Sequence, residues 1–159
     1  MKYLALLLIL ACAVAFGQTA SLPQNIYAGG ISYNQTATPH IAGTALYARL
    51  INDGSGTYAF AVYDALPAAV KPFTVTSNVG GGVAQKLFTV GKVPIFVPVS
   101  GSVSFNGTNT GWAWSGGAMA SVHLKGNWRL FPNVRFLKSS VSNGSGYQPI
   151  VGLMFGWGQ

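Results

Sequence analysis

Apolar and small residues alternate with a period of two along the last thirteen residues of the chain, Tyr147 to Gln159. The bulky positions are Val151, Leu153, Phe155 and Trp157, and the positions between them are Gly152, Met154, Gly156 and Gly158. A period of two places successive side chains on opposite faces of a β-strand. The sequence therefore predicts a C-terminal strand with one bulky apolar face and one face of mostly small residues.

The same alternation recurs along the chain, between segments rich in residues that favour turns, and no long segment has the period of an amphipathic helix. The other candidate strands are 26–35, 42–51, 57–65, 73–79, 83–90, 93–105, 112–124 and a segment from Trp128 to Phe136. Repeated short strands of this kind predict an all-β protein with antiparallel pairing.

A strand as apolar as the last one would promote aggregation if its edge stayed open. A membrane barrel closes that edge, turns its apolar face to lipid and encloses a polar lumen. The faces that alternate with the apolar ones carry small polar residues such as Ser100, Ser102 and Ser104, which suit a lumen. We predict an antiparallel up-and-down transmembrane β-barrel. A soluble exported β-sandwich that binds a ligand has the same periodicity and is the alternative.

The number of strands depends on how the segment from Phe73 to Val90 is interpreted. The glycines at 80–82 divide it into two candidates and give nine strands in all. Single-chain bacterial barrels generally have an even number of strands. We therefore treat 73–90 as one strand and predict eight.

The first seventeen residues have the features of a secretory signal. Lys2 precedes the apolar run Tyr3 to Val14, and Ala15-Phe16-Gly17 has the small-x-small form of a cleavage site. We expect residues 1–17 to be removed and residues 18–159 to form one barrel domain. Lipidation at Cys12, the only cysteine, is the alternative.

Charge is scarce. Only 7% of residues are charged, against about 25% in a typical soluble domain. The two acids are Asp53 and Asp64, and no apolar run outside the signal is long enough for a helical membrane span. This composition favours a surface in contact with lipid and excludes nucleic acid as an expected partner.

The terminal strand resembles the insertion signal of bacterial outer-membrane barrels at three positions. Gly152, Phe155 and Trp157 match its glycine followed by two aromatic residues, although Gly158 and Gln159 follow where the family usually ends on an aromatic. The mature chain also resembles the small outer-membrane barrels in size, export signal and strand count. The resemblance implies an outer-membrane location, with a periplasmic or secreted location as the alternative.

The same resemblance implies contact with outer-membrane lipid, insertion by the barrel-assembly machinery and a monomeric state. The family includes adhesins, anchors, pores and a few enzymes, so it implies a structural, envelope or surface-interaction role without a specific activity. Aromatic residues near strand ends are expected to form the interfacial girdles of such a barrel. They are Tyr27, Tyr33, Trp112, Trp114, Trp128 and Trp157.

Groups that could perform catalysis are few. Asp53 and Asp64 lie in or next to different connections, and nothing places His40 beside His123. We expect no cofactor, metal site or catalytic residue. Ser121 and His123 share a strand face, and some outer-membrane lipid hydrolases pair these residue types in the reverse order. Because no acid is near to orient the histidine, we interpret them as lumen residues and a lipid-modifying enzyme as the less favoured hypothesis.

Three arginines, Arg49, Arg129 and Arg135, fall on the polar faces of candidate strands and form a predicted basic cluster of the lumen. Without carboxylates nearby, they would need acceptors such as Tyr47, Asn133, backbone or water. We favour a solvated interior with a rim that contacts anionic lipid headgroups. A small anion pore is less favoured, because side chains just fill an eight-stranded barrel.

Overall fold

The structure is a computed structural model that describes residues 21–34, 40–68, 74–107, 109–141 and 147–159, so the predicted signal peptide lies outside the described residues. The strands are β1 (Asn25–Asn34), β2 (His40–Asn52), β3 (Thr57–Ala68), β4 (Thr74–Val90), β5 (Val93–Asn106), β6 (Asn109–Ala120), β7 (Val122–His123), β8 (Trp128–Ser139) and β9 (Gln148–Gly158). No helix within these ranges is long and apolar enough to cross a membrane.

The strands form one closed antiparallel sheet. Consecutive strands are paired except β6 and β7, and β1 also pairs with β9. Both β6 and β7 pair with β8, and the pairs Met119–Asn133 and Val122–Leu130 keep one register on either side of Ser121. β6 and β7 are therefore one interrupted strand. The described residues form an eight-stranded up-and-down barrel, which confirms the predicted fold and excludes the sandwich.

β4 runs without a break through the three glycines, so the prediction of a single strand here is confirmed. A Cβ atom added at Gly80 would collide with the carbonyl oxygen of Gly101, and one added at Gly82 would collide with that of Val99. The glycines thus allow β5 to approach β4 closely. A run of three glycines is typical of a loop. Here the glycines belong to a strand, because the absence of side chains permits a tight contact with β5.

The strands are strongly tilted. Following the paired residues once around the barrel from Leu50 returns to β2 at His40, a displacement of about ten residues around eight strands, which is typical of a tilted barrel. A barrel of eight strands has room inside for side chains alone. The inward residues therefore pack against each other across the lumen.

The two ends of the barrel differ. β1 begins and β9 finishes at the same end, where Asn25 and Gln159 exchange backbone hydrogen bonds of 2.7 and 2.9 Å. The turns after β2, β4 and β7 are at this end, which we call the terminal end. The connections after β1, β3, β5 and β8 are at the opposite end, which we call the loop end.

The interior is apolar towards the terminal end and polar towards the loop end. The apolar part consists of Ile26, Ala48, Leu50, Tyr58, Phe60, Val62, Ala84, Phe96, Met119, Phe131 and Met154. The buried polar residues include Asn34, Thr44, Asp64, Thr76, Asn78, Ser100, Ser104, Ser115 and Ser139. The expectation of a small polar lumen is therefore correct for the loop-end half only.

Candidate functional site

A buried ion pair crosses the lumen. Arg135 donates from Nη2 to Oδ1 of Asp64 at 2.8 Å and from Nη1 to Oδ2 at 3.2 Å. Thr44 donates from Oγ1 to the same Oδ1 at 2.6 Å. Three strands separate β3 from β8 in either direction around the barrel, so the two side chains come from opposite walls. Their side chains are 11% and 5% exposed, which removes them from bulk water.

This bridge closes the middle of the lumen. Two-point contact between a guanidinium and a carboxylate is strong and fixes both groups in one plane. Next to the bridge lies an enclosed cavity of ≈ 20 Å³, and a second cavity of ≈ 20 Å³ lies in the apolar part. Each has room for about one water molecule. The filled lumen argues against the anion pore.

Sequence reasoning missed the role of Asp64, which was expected in or next to a connection. The residue is inside β3 and points into the lumen, in the same alternation as Tyr58, Phe60 and Val62. The expectation that Arg135 has no carboxylate nearby is therefore wrong. Continuing the alternation of β3 by one more step would have identified the inward acid.

The predicted basic cluster of Arg49, Arg129 and Arg135 does not form. Arg49 is exposed on the outer surface, because Leu46, Ala48 and Leu50 are the inward residues of β2. The prediction was wrong because it assumed that the polar face of every strand is the inner one, whereas the terminal half of this lumen is apolar. The other two arginines are in the lumen but six residues apart along β8.

Arg129 is buried near the terminal end and bonds to neutral groups. Its Nη1 donates to Oγ of Ser121 at 3.3 Å, and its Nη2 donates to the carbonyl oxygen of Ser21 at 3.0 Å. The second bond ties β8 to the segment that precedes β1. The side chain thus connects the wall of the barrel with the N-terminal segment that fills its terminal opening.

Residues 21–24, which we call the N-terminal plug, fill the terminal mouth of the lumen. The buried hydroxyl of Tyr58 donates to the carbonyl oxygen of Pro23 at 2.7 Å. Leu50 N donates to Gln24 O at 2.8 Å, and Gln24 Nε2 donates to Leu50 O at 3.1 Å. A Cβ atom at Gly158 would lie 2.9 Å from Pro23, so this glycine makes room for the plug. Nothing in the sequence pattern indicated this segment.

Ser121 and His123 do share the lumen side, but their bonds go to different partners. Ser121 accepts from Arg129, whereas His123 Nε2 donates to the carbonyl oxygen of Gly126 at 2.6 Å in the following turn. Asp64, the acid of the lumen, is bonded to Arg135. The arrangement lacks the oriented base that a serine nucleophile needs.

No group of three or more His, Cys, Asp or Glu side chains in the described ranges is arranged to hold a metal ion.

The six residues of the predicted girdle are all exposed on the outer surface. Tyr47, Tyr27, Trp157 and Trp128 are successive cross-strand neighbours on β2, β1, β9 and β8. We call these four residues the aromatic row. Its ring centroids are 5.0 Å apart for the two tyrosines and 5.2 Å apart for the two tryptophans, distances typical of favourable aromatic pairs.

A second aromatic group lies nearer the loop end. Trp114 contacts Tyr147 edge to face with centroids 5.2 Å apart, and the ammonium group of Lys138 is 5.5 Å from the centre of the tyrosine ring. Tyr33 and Trp112 are exposed in the same half of the barrel. Tyr47 and Tyr147 were not among the predicted residues, although both alternate with inward positions.

The three residues of the predicted insertion signal are divided between the two faces of β9. Phe155 and Trp157 point outward, and Phe155 stacks on Trp128 with centroids 4.6 Å apart. Gly152 points inward, where an added Cβ would lie 2.9 Å from the Cβ of Ser32. This division follows from the alternation of the strand, and the role in insertion stays a prediction.

No family model and no curated protein matches the chain. Among solved structures, the crystal structure of neisserial surface protein A aligns with a TM-score of 0.66 and 10% identity, covering 85% of this chain and 96% of that one. The Yersinia pestis outer membrane protein Ail in a bilayer nanodisc gives a TM-score of 0.54 and 9% identity, with 85% and 99% covered. A de novo designed transmembrane β-barrel gives 0.51 and 12%, with 87% and 99% covered. The chain therefore has the fold of the small eight-stranded outer-membrane β-barrels, as the resemblance of its terminal strand implied.

Proposed function

We propose that this protein is an outer-membrane barrel with a structural, envelope or surface-interaction role, and that it acts neither as a pore nor as an enzyme. One observation carries the proposal. The outer surface exposes 24 large hydrophobic side chains of the described residues, while the charged pair Asp64–Arg135 is buried inside. Soluble monomers rarely expose large continuous apolar patches, whereas a barrel that spans a membrane needs an apolar outer surface to contact lipid.

The filled lumen supports a role carried by the outer surface and the loop end. The ion pair and the N-terminal plug occupy the lumen at two levels, so a solute would have to displace both. The neighbouring proteins include one named as a surface protein and one named as an outer membrane protein. Both names are consistent with a function at the cell surface.

We also propose that the chain is a monomer inserted by the barrel-assembly machinery, which would recognise Gly152, Phe155 and Trp157. The two aromatic residues are exposed at the end of β9, where a partner could contact them before the barrel closes. The different partners of Ser121 and His123 support a protein without lipid-hydrolase activity.

Cell fractionation combined with heating in detergent tests the proposed location. The protein should be recovered in the outer-membrane fraction, and the folded form should migrate differently on an electrophoresis gel before and after boiling. Recovery as a soluble periplasmic or secreted species without such a shift would contradict the proposal.

A further inference from the structure

Among the residues that the structure describes, the exposed positive charges are concentrated at one end of the barrel. Arg49, Lys92 and Lys125 lie in a strand end and two turns of the terminal end, and all three are exposed, whereas Lys86 is half-buried beside Gly56 and Leu22 at the mouth of the lumen. We call the three exposed residues Arg49, Lys92 and Lys125 the basic rim. The loop end has Lys138 among its described residues. The chain has two acids, of which Asp64 is used in the lumen and Asp53 lies in the turn after β2.

Two residues of the basic rim lie next to the aromatic row. Arg49 is two residues beyond Tyr47 towards the terminal end of β2, and Lys125 is in the turn that leads to Trp128. Aromatic side chains of this kind settle at the level of the lipid headgroups. Long basic side chains just beyond them extend their charge into the headgroup region while their carbon chains cover apolar surface.

The three cations are distributed around the barrel. They are contributed by β2, by the turn between β4 and β5, and by the turn between β7 and β8. A compact protein partner would contact one side of the rim and leave the other charges unused. A leaflet surrounds the barrel completely, so a ring of charge matches the geometry of lipid headgroups.

We infer that the basic rim binds anionic phospholipid headgroups in the leaflet at the terminal end of the barrel. This inference rests on the proposed function, because it needs the barrel to be in a membrane. Basic residues near an anionic bilayer each favour binding by about fivefold, and the attraction weakens as salt screens it. The rim therefore enriches anionic over zwitterionic lipid around this end.

The test uses the full mature chain folded into vesicles of phosphatidylcholine mixed with phosphatidylglycerol. The barrel is extracted mildly, and the two lipids that stay bound are counted by native mass spectrometry at low and high salt. Wild-type protein should retain phosphatidylglycerol several-fold over its share of the vesicle. The variant with Arg49→Gln, Lys92→Gln and Lys125→Gln should lose that enrichment, and high salt should weaken it in the wild type.

Lys138→Gln is the matched control, because it removes one cation at the loop end. It should keep the enrichment. An unchanged lipid ratio in the three-site variant, or an equal loss in the control, would overturn the inference. If the three-site variant does not fold, the turn variants Lys92→Gln and Lys125→Gln are measured separately, and each should lose part of the enrichment.

Failure of the proposed function has a different outcome. A chain that forms no heat-modifiable barrel in any vesicle contradicts the membrane location itself. A barrel that forms normally but holds both lipids in the proportion supplied contradicts the inference about the rim alone.

Discussion

At the scale of single residues, the Asp64–Arg135 pair has the most pronounced energetic consequences. Both charged groups are removed from water, and the lost hydration of each is replaced by contacts with the other and with Thr44. Removing one partner of a buried ion pair leaves an uncompensated charge, whereas replacing both partners with apolar residues is often tolerated.

Arg135→Met should therefore lower the free energy of unfolding by about 3–5 kcal/mol, measured by urea titration of the barrel in vesicles. The double variant Arg135→Met with Asp64→Leu should recover much of that loss. Arg49→Met on the outer surface is the control and, in vesicles of zwitterionic phosphatidylcholine that offer the basic rim no anionic lipid, should change the free energy of unfolding by less than about 0.5 kcal/mol. Additive losses in the double variant would mean that the two residues do not act as a pair.

A second residue-scale prediction concerns the glycines of β4 and β5. A Cβ at Gly82 would collide with the carbonyl oxygen of Val99, whereas a Cβ at Gly101 meets nothing within 4 Å. Gly82→Ala should destabilise the barrel by about 1–3 kcal/mol, the range found for overpacked sites, and Gly101→Ala should be nearly neutral. The same titration measures both. Equal effects would contradict the close approach of β4 and β5.

At the scale of a strand, one face of β9 points into the lumen and the other lies on the outer surface. Its outward residues meet lipid in the proposed location, and Leu153 lies at the middle of the strand. Ile51 is also apolar and outward, but it lies at the terminal end of β2. The two positions therefore differ in expected membrane depth.

An arginine at the centre of a bilayer costs about 2–4 kcal/mol and one near the interface costs about 0–1 kcal/mol. Leu153→Arg should thus reduce the fraction of heat-modifiable barrel in vesicles, whereas Ile51→Arg should change it little. Equal tolerance at both positions would show that the outer face does not lie in hydrocarbon.

At the scale of the whole molecule, the alternation of apolar and polar residues predicted the fold. The arrangement of the interior depends instead on contacts between residues that are far apart in the sequence. Alternation is a local property, so it identified the strands and the bulky outer face of β9. It does not say which face of a strand points inward, and for that reason Arg49 was assigned to the lumen. The partner of Arg135 lies 71 residues away on the opposite wall, and only closure of the barrel brings the two together. The N-terminal plug shows no alternation of apolar and polar residues that would identify it. Its position depends on the shape of the terminal opening that it fills.

The hydrogen bonds between Asn25 and Gln159 also bear on the order of folding. β1 and β9 are the paired strands farthest apart in sequence, so their pairing encloses nearly the whole chain and carries the largest loop-closure entropy. Pairings between consecutive strands are local by comparison and should form earlier. A circularly permuted chain, with its ends joined and a new opening at Gly91–Lys92, would keep every strand pair but complete the ring between β4 and β5 instead. In the natural order the ring stays open until the last strand is available, and an assembly intermediate presents the unpaired edges of β1 and β8.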